Sequence, residues 1–279
     1  MRKAISFSQS LLSGIGFLWL FLGAYYGLAA PSAPKIAFGT FLVIGLAIGL
    51  IWFFIDGFFI TGFLKYSIEI TSNAIDVRIT VEFGDLFRQD GFKTIPVNDF
   101  FDSAVDEKHV TKNSLHGLML TQFWPGNTGD WDNQVTRELE KTASIESIAT
   151  RPPPGKHHRY PVGTTLSVVA QNDHFLCVAL AKTDVTTLEA SATYKELQLA
   201  VHSLLGMART VCSGRPLNLP LMGSGLARTG VKPNIIVDLL LLAIFEESRK
   251  RKITNHIRVI LPKTMRDRID LTTIQKDWK

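Results

Sequence analysis

Residues 216–228 read Pro-Leu-Asn-Leu-Pro-Leu-Met-Gly-Ser-Gly-Leu-Ala-Arg. The apolar run Pro216–Leu221 predicts a short buried strand, and the Gly223-Ser224-Gly225 triplet stops it. In an open α/β sheet, ligands bind beyond the carboxyl ends of the strands. Glycines at 223 and 225 remove side chains, so backbone N–H groups can face an anion there. Ser224 adds a hydroxyl, and Arg228 offers a bidentate contact to phosphate. Alone, the triplet reads equally well as a turn. Its weight comes from what surrounds it.

Upstream, strands and helices alternate. Tyr66–Ile70, Asp76–Phe83 and Phe92–Val97 read as strands, with Ile75, Val77, Ile79 and Val81 sharing one face. Asn133–Ala143 has helical spacing. Thr164–Ala170 and Phe175–Ala181 form a hairpin across residues 171–174. Ala190–Val211 is a long amphipathic helix with Leu197, Val201, Leu204, Leu205 and Ala208 on its apolar side. Downstream, Ile235–Ser248 is an apolar helix and Ile257–Leu261 a last strand stopped by Pro262. This order predicts a three-layer α/β domain with a mixed sheet. Arg151–Pro161, rich in proline and basic residues, reads as a mobile surface loop.

Two further strand ends carry chemistry. Gly84-Asp85-Leu86-Phe87 follows the second strand, and Asp85 offers a carboxylate to an exocyclic amine. Val97-Asn98-Asp99-Phe100-Phe101-Asp102 follows the third. Each is also a plausible cap or turn.

The first 65 residues differ in kind. No charged residue lies between Ala4 and Pro34, and none between Ile36 and Ile55. A bilayer core of about 30 Å takes about 20 apolar helical residues. Both stretches reach that length, predicting a transmembrane hairpin over 1–65, with helices at about 10–30 and 36–63, before a soluble domain over 66–279. Trp19, Tyr25, Tyr26 and Trp52 suit the membrane interface. Arg2 and Lys3 stay inside by the positive-inside rule, and two crossings return the chain to the cytoplasm. A signal peptide cleaved near Ala30 would leave the same side facing the domain, because the second span still leads inward. Asp56, at the end of the second span, reads as an interfacial charge or as a contact between assembled copies.

The remaining features exclude more than they assign. Cys177 and Cys212 are the only cysteines, each in an apolar run, which predicts buried free thiols in a reducing compartment. No Cys/His metal spacing occurs, and His157-His158 sits in a proline-rich loop, so no metal is expected. The net charge is +5. Arg249-Lys250-Arg251-Lys252 suits the carboxyl end of a helix. It could serve a nucleic acid or lipid headgroup, but no aromatic-interleaved basic stripe supports nucleic acid.

The order of Gly-Asp-Leu after an early strand, Val-Asn after the next, and a late strand with Gly-Ser-Gly resembles the macro domain, an ADP-ribose-binding fold. The resemblance covers about Tyr66 to Pro262. With the two-helix preamble, Ser114-Leu115-His116-Gly117, Tyr160-Pro161-Val162-Gly163-Thr164-Thr165 and residues 221–228, the chain looks most like the membrane effectors of type II Thoeris antiphage defence systems. That resemblance implies that Asp85, with Leu86, receives the adenine amine. It places Asn98 near the distal ribose and wraps Gly223, Ser224 and Gly225 around the diphosphate; Phe101, Asp102, Leu226 and Arg228 are read as further ligand-binding residues. The implied ligand is ADP-ribose or a conjugate of it, such as histidine-ADP-ribose made by a partner TIR-domain protein, with no other cofactor. It also implies a homo-oligomer formed on ligand binding, in the lipid bilayer of a bacterial inner membrane. Hydrolytic macro domains carry a second asparagine and glycines in the first loop, where this chain has Phe100-Phe101-Asp102 and Ser103-Ala104-Val105-Asp106. Binding without catalysis is therefore expected. The alternative is a membrane-tethered ADP-ribosyl hydrolase in which Asp99 or Asp102 orients water.

Overall fold

The computed structural model describes residues 2–29, 32, 35–223 and 230–278. Two compact units emerge: residues 1–68 with 270–277, and residues 69–269 with 278–279.

In the first unit, helix α1 (Arg2–Ala24) runs on through a π-helical turn to Ala29, and α2 (Phe38–Ile55) runs on likewise to Ile60. Over Ser6–Leu28 and Phe38–Ile60 both are long and apolar enough to cross a membrane, and only 6% and 11% of these spans is buried. The helices pack antiparallel. Phe7 meets Phe53 edge-on at 5.2 Å, and Trp19 meets Phe41 at 5.8 Å. Between these pairs Ser10 and Gly14 face Gly45 and Gly49. A Cβ on Gly14 would lie 2.3 Å from the Gly49 nitrogen, and one on Gly49 would lie 2.6 Å from the Ser10 carbonyl. Small residues four apart on both helices are what bring backbones this close. The short helix α7 (Leu271–Asp277) belongs to this unit, and Lys65 Nζ donates to Gln275 Oε1 at 3.1 Å. The sequence suggested no helix there, since one turn and a half leaves little periodicity to read.

The second unit is a mixed sheet between helices. Its strands are β1 (Ser67–Ile70), β2 (Arg78–Gly84), β3 (Phe92–Asn98), β6 (Thr165–Ala170), β7 (Asp173–Thr183), β9 (Leu217–Pro220) and β10 (His256–Pro262). They lie in the order β1-β2-β10-β9-β3-β7-β6, and the two-residue β8 (Ala190–Ser191) pairs with β7. A separate two-stranded ribbon joins β4 (Glu146–Ser147) to β5 (His158–Arg159). Strands β2, β10, β9, β3 and β7 are mutually parallel, and β6 is antiparallel on β7. The carboxyl ends of the five parallel strands therefore emerge along one edge.

Strand alternation decides which helix covers which face. Ile95, Val97, Phe175, Cys177 and Ala179 point into one core with Met119 and Leu120 of α3 (Leu115–Phe123) and Trp131, Val135 and Leu139 of α4 (Gly129–Leu139). Against the other face lies α5 (Tyr194–Val211), packed on β7 and β6 and flanked by α6 (Pro233–Lys250). Helix α5 starts four residues later than its apolar pattern suggests. Thr193 caps it and Glu196 returns the bond, a reciprocal capping box that fixes the first turn. Cys177 and Cys212 are both buried free thiols, as expected.

Candidate functional site

Strands β3 and β9 pair only at Phe92–Leu217 and Lys93–Asn218. The side-chain amide of Asn218 closes this end by donating to the carbonyls of Asp90 (2.7 Å) and Phe92 (3.0 Å). Beyond it β3 continues to Asn98 and β9 to Pro220 without pairing, so the sheet parts toward its carboxyl edge. Chain direction across the sheet also switches here: α-crossovers from β3 lead toward β7, and β9 leads back to β10. Such a switch point is where open α/β sheets place ligands.

Three loops leave that edge. After β2, Asp85 accepts from the Phe87 amide (3.0 Å) and caps a turn of 3-10 helix. Its second oxygen stands 3.5 Å from Arg88 Nε, and the side chain is half exposed. Leu86 beside it is buried in the core. After β9, Met222 is buried and Gly223 turns left-handed at φ +81°. That conformation suits glycine, because a Cβ would crowd its own backbone. Ser224, Gly225, Leu226 and Arg228 lie outside the described residues.

The loop after β3 is built as a hub. Asn98 Oδ1 accepts from the Asp102 amide (3.1 Å), while Nδ2 donates to Asp102 Oδ2 (2.7 Å) and to the His109 carbonyl (3.3 Å). Asp102 also accepts from Arg151 Nη1 (2.7 Å), Arg151 Nη2 (2.5 Å) and the Lys156 amide (2.8 Å). A carboxylate has about four acceptor sites, and four protein donors occupy them. Burial opposes ionisation of Asp102, but the Arg151 hydrogen bonds and charge, aided by Lys156 and Asn98, outweigh it and lower its pKa. Asp99 takes the Thr183 amide (3.0 Å) and faces Arg159 Nε at 3.0 Å. Here burial prevails over those partners and raises the pKa.

Between the two carboxylates, the Phe100 ring receives Arg151 at 3.8 Å on its face and Arg159 at 5.0 Å. Phe101 is buried against Tyr160 with φ +53°. Left-handed backbone at a bulky residue is uncommon and persists only where surroundings enforce it. His109 bridges the loops, with Nδ1 on Asp106 (2.7 Å) and Nε2 on the Pro152 carbonyl (3.1 Å).

The structure thus brings Asn98, Phe101 and Asp102 together, but it buries the side chains of Phe101 and Asp102 completely. In this state they shape the loop and offer no surface to a ligand. Residues 151–161 do run at the surface, with Pro152, Pro153, Pro154, His157, His158 and Pro161 exposed, but the segment is anchored. Arg151 is 2% exposed and locks the segment onto Asp102. Sequence reading missed Arg151, Arg159 and His109, because no local spacing ties them to Asp102, Asp99 and Pro152, which lie 49, 60 and 43 positions away. His116 is also buried, which pushes its pKa down to about 3, so the ring stays neutral against Trp131. The group His202, Glu246 and Glu247 has metal-ligating side chains close together. Lys250 and Arg209 already neutralise Glu247 there, so the charge a cation would need is spent.

Fold and strand-end loops define a macro-domain protein with two apolar helices before the domain. The family model for the Thoeris protein ThsA macro domain matches residues 79–262, and the chain belongs to that family. A Thoeris protein ThsA from Bacillus amyloliquefaciens (strain Y2) is 26% identical over 167 residues, 59% of this chain and 54% of that protein. The chain therefore spans about half the length of this curated relative. Among solved structures, a glycine-to-valine variant of the Oceanobacillus iheyensis macrodomain with ADPR aligns at TM-score 0.51 and 12% identity, covering 76% of this chain and 95% of that one. An asparagine-to-alanine variant of the same macrodomain aligns at 0.50 and 11%, covering 76% and 92%. At such identity these structures speak for the fold alone.

Proposed function

We propose that this protein is a membrane-anchored sensor and effector whose macro domain binds an ADP-ribose-type nucleotide. The observation that carries the reading is the order of groups along the parted edge. Asp85 ends β2, Gly223 follows β9, and Asn98 ends β3. With strands about 4.8 Å apart, these stations span about 14 Å. Taken in that order they offer an acceptor for an adenine amine, a glycine turn for a diphosphate, and an asparagine loop for the distal ribose. ADP-ribose carries the same groups in the same order. Ser224, Gly225, Leu226 and Arg228 complete the diphosphate loop in this reading, and Leu86 supports the adenine end. Phe101 and Asp102 hold the distal-ribose loop in shape, and reach a ligand only if that loop rearranges.

The helices α1 and α2 form a hairpin through the bacterial inner membrane, with the domain in the cytoplasm. The nucleotide is ADP-ribose or a conjugate of it, such as histidine-ADP-ribose supplied by a TIR-domain partner. Its binding drives assembly of copies, and the assembled hairpins breach the membrane in antiphage defence.

Hydrolysis is the second reading. It would need Asp99 or Asp102 to hold a water. Both are at most 1% exposed; Asp102 accepts from Arg151, Lys156 and Asn98, and Asp99 accepts from the Thr183 amide and pairs with the Arg159 charge without a hydrogen bond. Binding is therefore favoured over turnover. Calorimetry of the full chain in detergent with ADP-ribose tests the site, and absence of heat with ADP-ribose, its conjugates and NAD overturns it. Steady release of ADP-ribose from modified protein, lost in Asp99→Asn or Asp102→Asn, would instead favour the hydrolase.

A further inference from the structure

We infer that the face of α1 bearing Gln9 and Ser13 is where one copy of this chain meets a second copy inside the bilayer; the inference rests on the membrane-hairpin reading above. Helix α1 uses Phe7, Ser10 and Gly14 to pack on α2. At 3.6 residues per turn, Gln9, Gly16 and Gly23 fall within about 40° of one another and about 150° round the helix from that packed side. Ser13 flanks them. All four are exposed. The Gln9 amide and the Ser13 hydroxyl have no hydrogen-bond partner among the described residues.

The chemistry of lipid makes that arrangement costly in a lone hairpin. Gln9 lies six residues beyond Lys3, about 9 Å along the helix axis, and Ser13 about 15 Å. Counted from Ser6, where the apolar span begins, Gln9 lies about 4.5 Å and Ser13 about 10 Å in, and an unpaired amide or hydroxyl entering lipid gains from a polar partner. The facing stretch of α2, Gly49-Leu50-Ile51-Trp52-Phe53, packs on the other side of α1 and brings no amide or hydroxyl side chain. A second copy related by a two-fold axis along the membrane normal supplies the missing group. About such an axis identical residues meet, so the Gln9 carbonyl accepts from Gln9 of the partner subunit while its NH2 donates back. Side-chain amides and hydroxyls bond across membrane helices in this way. Gly16 and Gly23 assist by leaving room, since a Cβ on either would meet nothing within 4 Å. The glycines permit the approach, and the unpaired polar side chains favour it.

Disulfide mapping of the full-length chain in liposomes tests this. Cysteine is placed singly at Gln9, Ser13, Gly16 or Phe17, the last being 57% exposed on a neighbouring face. Cys177 and Cys212 are buried, so the unsubstituted chain serves as the blank. Oxidation is run with and without ADP-ribose. The expected result is strong dimer at 9, 13 and 16 and weak dimer at 17. Adding Gln9→Leu to Ser13→Cys should cut the yield about fivefold, the scale of one interhelical hydrogen bond in lipid, and Gln9→Asn should restore most of it. Equal or stronger crosslinking at 17, or no effect of Gln9→Leu, overturns the inference. The nucleotide reading fails separately: the pattern at 9, 13 and 16 with no change on adding ADP-ribose supports this interface and counts against ligand-driven assembly. Assembly that responds to ADP-ribose but crosslinks through 17 does the reverse.

Discussion

Asp102 and Arg151, 49 positions apart, join through two parallel hydrogen bonds of 2.7 and 2.5 Å with both side chains withdrawn from water. The same carboxylate receives the Asn98 amide, so Arg151 sets the position of Asn98 through Asp102. Removing one partner of a buried pair leaves a stranded charge, which costs about 3–5 kcal/mol. Arg151→Ala should lower stability by that amount in denaturant titrations of the full chain. It should also weaken ADP-ribose binding in whatever fraction stays folded. The double variant Asp102→Asn/Arg151→Gln should lose less than the two single losses added together. Strict additivity would show that the pair does not couple.

That pairing also marks where the sequence stops being informative. The strands were legible because their apolar alternation is local, and the bounds of β3 and β10 fall within one residue of the pattern. Helix α3 was not, since Leu115-His116-Gly117 opens with a histidine and a glycine. Ser114 caps it, accepting from the Gly117 amide. Helix α4 starts at Gly129, four residues before the pattern, because Trp131 enters the core. At the site, Asp85, Asn98 and Gly223 could be found as polar or glycine residues following strands. Arg151 could not, because its proline-rich setting suggests solvent and its partner is known only once β3 and the 146–160 segment are folded together.

Acid should weaken the domain through Glu247. Burial opposes its ionisation, but hydrogen bonds from Lys250, Arg209 and His202 outweigh that and bring it down to about 2 from its ordinary 4.5. A depressed folded pKa contributes stability that is whole above the unfolded value and is lost as pH falls through the folded one. The loss therefore falls between about pH 4.5 and pH 2. Glu247→Gln should be less stable at neutral pH and show a flatter acid limb, converging with the parent near pH 2. Asp99 acts with the opposite sign. Burial raises its pKa, so it favours the folded state on the acid side, and Asp99→Asn should remove that counter-slope. Parallel acid limbs for Glu247→Gln and the parent would discount the Glu247 cluster.

Gly223→Val should abolish ADP-ribose binding. The backbone there is left-handed at φ +81°, a conformation that disfavours a β-branched residue. Valine therefore tilts the loop, and its methyl groups enter the space proposed for the diphosphate. The loop sits past the end of β9, so the sheet should survive and the thermal midpoint should move by only a few degrees. Undiminished affinity in a folded variant would reduce the glycine to a turn residue.

Ligand binding should be coupled to leakage of the membrane. A two-helix hairpin cannot enclose a water path alone, because helices in lipid must satisfy their polar groups within protein. Several hairpins together can. In the proposed function the nucleotide meets the domain on the cytoplasmic side, and binding shifts an assembly equilibrium only if the assembled state holds the nucleotide more tightly. Light scattering of the full chain should then show larger particles with ADP-ribose, and liposomes carrying it should release a trapped dye. The hairpin itself provides the control. A leucine at Gly14 would press on the Gly49 backbone, where even a Cβ comes within 2.3 Å, and should force α1 and α2 apart. Gly14→Leu should therefore bind ADP-ribose as the parent does and release much less dye. Equal leakage from that variant would free the hairpin geometry from the effect. Tight binding by the parent with no growth in size and no leakage would refute the coupling while leaving the nucleotide site standing.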